Sequence, residues 1–74
     1  MLGRWEVAEA ISVGTSKIQM KEYGGVAVGD TLELSPGTSV AEVVTIVGFG
    51  SLLLAAPTRF AHPSGSAVRR LMEG

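Results

Sequence analysis

"ISVGTSKIQM" (11–20) and "IVGFGSLLLA" (46–55) carry the same order of residue types: an apolar segment, a glycine turn, a serine and a second apolar segment. Each is followed by a long loop with one aromatic residue, Tyr23 or Phe60, and each loop reaches a glycine, Gly29 or Gly65, before a last strand. The offset between the copies is 34 to 36 residues, depending on where it is taken. A repeat of this kind predicts two strand-strand-loop-strand units related by a pseudo-twofold axis. A small closed or nearly closed barrel buries both halves and leaves no exposed sheet edge.

Local patterns outside the echo agree with an all-β chain. "SKIQMK" (16–21) alternates, with Ile18 and Met20 on one face and charged or polar residues on the other. "TLELS" (31–35) alternates likewise, placing Leu32 and Leu34 inward. "EVAEAIS" (6–12), with Val7 and Ile11 spaced by small and acidic residues, reads as an edge strand, with a short helix as the second reading. In "VAEVVTIV" (40–47), Val40, Val44 and Ile46 face one way and Val43 and Val47 the other, which predicts a central strand covered on both faces. "SLLLAA" (51–56) is apolar on both faces too, and "AVRRLM" (67–72) is the last strand.

Turn chemistry separates these runs. Gly14 starts the first turn, Gly29 and Asp30 end the loop 22–30, and Pro36 and Gly37 occupy the central positions of a type II turn. Gly48 and Gly50 flank Phe49 at a hairpin tip, and Gly65 ends the loop 57–66. The reading is one domain over residues 1–74, with halves at approximately 6–35 and 40–72. The architecture is a small six-stranded barrel, with a two-sheet β-sandwich as the alternative. Its expected core is Val7, Ile11, Ile18, Met20, Val28, Leu32, Leu34, Val44, Ile46, Leu52, Leu54 and Val68.

Composition narrows the function. Lys and Arg total 6 against 7 Asp and Glu, a net charge of −1, so no clustered basic face for nucleic acid is evident. With no cysteine and one histidine, neither a disulfide nor a zinc site is expected, and no cofactor is called for. The longest apolar run, 52–57, is far shorter than the roughly 20 residues of a membrane-spanning helix. No signal peptide is visible, and the compartment stays open. "GGVAVGD" lacks the Lys-Ser/Thr of a phosphate loop, and the lone His62 has no evident nucleophile partner, so no enzyme is expected. The expected role of His62 is loop support, packing against Phe60 or bonding a loop carbonyl, rather than metal binding. Arg59, Arg69 and Arg70 are expected on a solvated face, pairing with Glu33, Glu42 or Glu73. Trp5 and Phe49, with Arg59 and Phe60, are the candidate protein contacts. Large aromatics anchor interfaces, but Trp5 is expected to plug one barrel end, and Phe49 can equally plug the other.

Two resemblances add to this. "VAVGDTLEL" (26–34) resembles the GD box of cradle-loop barrels, the group of AbrB-type transcription factors, in which Gly-Asp precedes an alternating strand and is structural. That likeness implies a DNA-binding dimer as one alternative. "AVGDTLEL", "EVVTIVGFGSLLLAAP" and "FAHPSGSAV" together resemble a small β module of surface, phage-tail and secreted bacterial proteins and of dinoflagellate algal proteins, matched here by Gly29, Asp30, Pro57, Phe60, His62, Gly65 and Val68. This second likeness implies a non-catalytic structural or protein-binding module. One version is a small accessory subunit of a larger assembly, such as a photosystem complex, attached peripherally to a membrane protein. A carbohydrate-binding or adhesive module, stacking sugars on Trp5, Tyr23 or Phe49, is the remaining alternative. Self-association or a protein partner is expected because an apolar chain of this size lacks internal staples.

Overall fold

A computed structural model describes residues 3–73. Six strands form: β1 (Arg4–Glu6), β2 (Lys17–Ile18), β3 (Thr31–Leu34), β4 (Glu42–Gly48), β5 (Leu52–Leu54) and β6 (Ala67–Met72). They make one antiparallel sheet in the order β1-β6-β3-β4-β5-β2. No helix is long and apolar enough to cross a membrane among the described residues. The sheet curls until its two edges meet. Val7, just past β1, bridges Met20, just past β2, while Lys21 N–H donates to Glu6 O and Ala8 N–H to Gln19 O. The architecture is therefore barrel-like, one sheet wrapped on itself rather than two sheets packed face to face.

The strand registers carry the pseudo-twofold. Between β3 and β6, Leu34 pairs with Val68 and Leu32 with Arg70, so a shift of 36 residues exchanges the two pairs, with Glu33–Arg69 on the axis. At the opposite side of the barrel, Ile18 pairs with Leu52, a shift of 34. The first strands are related differently: Val68–Trp5 corresponds to Leu32–Val44, which equates Trp5 with Val44, a shift of 39. The sequence echo aligned Ile11 with Ile46 instead. Extra residues in the segment after Val7 explain the slip. That segment is no edge strand over 6–12; its strand lies earlier, at 4–6, and Ile11 makes only an isolated bridge to His62.

Inward residues of the six strands fill the interior. Val7, Ile11, Ile18, Met20, Leu32, Leu34, Val44, Ile46, Leu52, Leu54 and Val68 are buried, and Trp5 joins them. Val28 does not, being 55 % exposed. The chain reverses at 27–30, where Asp30 N–H donates to Ala27 O, so Val26 packs on the core instead and Val28 is turned outward. The outer face of β4 departs from expectation as well. Val43 and Val47 are exposed, so among the described residues nothing covers the second face of this central strand, and Val40 precedes the strand.

The turns mostly follow the glycines. Pro36 and Gly37 (φ 79°) form the type II turn, closed by Thr38 N–H on Ser35 O. The β4–β5 turn is made at Gly50 and Ser51 (φ 122° and 116°) and not at Gly48, which ends β4 against Leu53.

Candidate functional site

Two long loops cross the ends of the barrel, and a buried charged side chain from a strand pins each of them. Loop 57–66 runs antiparallel to 7–15: Thr58 N–H donates to Thr15 O, His62 and Ile11 exchange both backbone bonds, and Gly65 N–H reaches Val7 O. Its pin is Glu42, the first residue of β4. Glu42 Oε1 accepts Arg59 N–H (2.8 Å), and Oε2 accepts Phe60 N–H (3.1 Å) and His62 Nε2 (2.7 Å). His62 Nδ1 lies 2.7 Å from Ser35 Oγ. Side-chain exposure is 0 % for His62 and 2 % for Glu42.

Hydrogen-bond logic assigns the protons. An ionised Glu42 only accepts, so Nε2 carries a hydrogen, and in the neutral ring Nδ1 then accepts from the Ser35 hydroxyl. Burial works against the Glu42 charge, yet the Arg59 N–H, the His62 ring and the Phe60 N–H outweigh it and hold the carboxyl below the ordinary glutamate range. Ser35, His62 and Glu42 thus form a serine–imidazole–carboxylate chain, the arrangement that activates a nucleophile where the serine meets substrate. Here Ser35 is only 5 % exposed at the corner after β3, and its hydroxyl is directed to the ring. What the chain of bonds does is fix the loop.

The opposite pin is Arg70, on the inward face of β6. Its Nη1 donates to Gly25 O (2.7 Å) and to Asp30 Oδ2 (3.0 Å), tying down loop 22–30. Its guanidinium also stacks 5.4 Å from the Trp5 ring, whose Nε1 donates to Gly24 O (2.9 Å). Asp30 Oδ2 further accepts Ala27 N–H, the turn bond expected of a Gly-Asp pair.

Several expected roles change accordingly. His62 does support its loop, but through Glu42 and Ser35 rather than through Phe60 or a carbonyl. Arg70 is buried instead of solvated, because its parity along β6 is that of Val68. Glu42 binds no arginine guanidinium; Arg59 reaches it through the backbone alone. Arg69 pairs with Glu33 (2.7 Å) as expected. Trp5 is 6 % exposed and fills the end of the barrel, so it offers little surface as a contact or a sugar platform. Phe49 stands 47 % exposed at the β4–β5 tip, and Arg59 lies exposed over the half-buried Phe60 ring, 5.7 Å away. No group of three or more His, Cys, Asp or Glu side chains that could hold a metal ion is present among the described residues.

The sequence did not single out Ser35, and it placed Glu42 and Arg70 as partners on a solvated face rather than inside, although a signal for burial existed. Glu42 shares the inward parity of Val44 and Ile46, and Arg70 that of Val68. A charge at an inward position requires a buried partner.

The outer surface has a different character. Val43 and Val47 on β4 are 55 % and 54 % exposed, and beyond the register shift at the end of β4 Phe49 stands exposed at the tip, beside Gln19, Tyr23 and Ser51. Across Thr45 and Thr31 the register leads to Met72, which is 67 % exposed. In comparisons with known proteins, the chain matches no family model, no curated protein and no solved structure.

Proposed function

We propose that this chain is a non-catalytic protein-binding module that docks through the outer face of β4 and the Phe49 tip, as a small accessory subunit of a larger assembly. The supporting observation is the uncovered apolar face of a central strand: Val43 and Val47 are both more than half exposed. Central strands normally bury such β-branched residues on both faces or alternate them with polar ones. Attachment to a membrane protein complex such as a photosystem is the form of this reading that the dinoflagellate likeness suggests. The DNA-binding alternative gains nothing from the fold, and the sugar-binding alternative loses Trp5 as a platform. Lys21 and Arg69 are paired with Glu6 and Glu33, Arg70 is buried, and Trp5 is inside.

The test is the solution mass from micromolar to millimolar concentration, for the wild type, Val47→Lys and Phe49→Ser. Association that both substitutions abolish, with unchanged unfolding midpoints, is the expected result. A wild type that stays monomeric, and binds an apolar dye no better than Val47→Lys does, removes the reading.

A further inference from the structure

The hydrogen bonds along β4 leave its backbone open at Val43. Ile46 N–H donates to Asp30 O and Ile46 O accepts Gly29 N–H, so the even-numbered residues of β4 point toward β3. Odd-numbered residues point the other way, toward β5, and Thr45 O accepts Ala55 N–H there. Two residues further along the ladder, Val43 would face Pro57. Proline has no N–H to offer, and at Thr58 the chain has already turned to donate to Thr15 O. No bond from the Val43 N–H to the Pro57 carbonyl forms either among the described residues, so the N–H and C=O of Val43 lie on an edge where β5 has stopped. A groove of about 270 Å³ opens beside them, whose lining includes Val43, Ala55, Ala56, Pro57 and Arg59 and also Glu42, whose two carboxylate oxygens are already taken by loop donors. Alanines and a proline keep its wall low and apolar.

Arg59 gives the groove its charge. Its backbone N–H is held by Glu42, and its guanidinium lies over Phe60 with no carboxylate partner among the described residues. The carboxylate nearest in bonding, Glu42, is buried and engaged by three donors.

We propose that the edge of β4 at Val43, beside Arg59, receives an extended segment of a partner protein carrying a carboxylate side chain. Main-chain bonds to Val43 supply the docking register, and Arg59 supplies selection for the acidic residue. A second copy of this chain is the poorer occupant. Pairing β4 with β4 about a twofold axis at Val43 places two Arg59 side chains on one shared groove, where the Glu42 carboxylates are already engaged by their own loop donors. The inference names the partner chemistry of the binding module described above and rests on that reading. Its site is the strand edge rather than the outer face.

Amide exchange of the full-length chain tests the first half. The Val43 amide is expected to exchange at least about tenfold faster than those of Glu42 and Val44, whose donors point to β3. A protected Val43 in the free protein overturns the proposal. The second half uses a short capped peptide of alternating valine and threonine with one central glutamate. Two controls replace that glutamate with lysine or N-methylate the central amides. Titration into the labelled chain should shift the Val43 amide and slow its exchange, with the lysine peptide about two- to fivefold weaker, the range of an exposed ion pair. Arg59→Ala should erase that preference without changing the unfolding midpoint. Equal binding of all three peptides, or no effect at Val43 at millimolar peptide, overturns the strand addition. Val47→Lys separates the two readings, because it should abolish outer-face association and leave peptide binding intact.

Discussion

At Glu42, one carboxylate takes three donors, so its removal costs more than a single bond. Glu42→Ala leaves the Arg59 and Phe60 N–H groups and the His62 ring without their acceptor. The expected loss is about 3–5 kcal/mol. That is a large share of the roughly 5–15 kcal/mol that holds a domain together, so the measurement needs a milder companion. Ser35→Ala removes only the bond to His62 Nδ1 and should cost about 1 kcal/mol in urea titration. If Ser35→Ala and Glu42→Ala cost the same, the carboxylate is not the pin. At this scale the sequence was readable only in part. Strand parity held a signal that Glu42 and Arg70 face inward, yet both were expected on a solvated face; and no local rule indicates which buried group a charge will find 20 or 40 residues away.

Among the glycines near the hairpins, Gly37 in the β3–β4 turn and Gly48 at the end of β4 should respond differently to an added methyl group. Gly37 has φ 79° with open space around it, so Gly37→Ala pays backbone strain alone, about 1–2 kcal/mol. Gly48 has ordinary backbone, and a Cβ there meets Leu53 Cδ1 at 3.0 Å, the far end of a flexible side chain. Gly48→Ala should therefore cost under about 1 kcal/mol, as Leu53 yields. Thermal midpoints of the two variants give the order, and a reversal contradicts this account of the turn. The elements themselves were legible because alternation and turn residues are local signals: β2, β3, β5 and β6 lie where Ile18, Leu32, Leu52 and Val68 place them. β1 was misplaced because Val7 and Ile11 are both buried, yet only Val7 continues a strand; Ile11 reaches the core through a bridge to the crossing loop.

For the molecule as a whole, the same carboxylate sets the response to acid. The Glu42 carboxyl is held below its ordinary range in the folded chain, so the unfolded chain binds protons first as pH falls. Its contribution is fully present above the ordinary glutamate range, near about 4.3, and disappears as pH drops through the lower folded value. Urea midpoints of the wild type should fall across that interval, and Glu42→Gln should lack that part of the slope. Parallel curves would assign the acid response to other carboxylates. The sequence by itself determined the strand count, the pseudo-twofold and nearly all of the apolar interior, because side-chain alternation and glycine placement act over a few residues. Only the tertiary structure decided which charges are buried, that Ser35, His62 and Glu42 meet, and that β4 keeps one bare face and an open edge at Val43. Those features depend on segments far apart in the chain closing on one another, and the geometry of closure is not written in any single stretch.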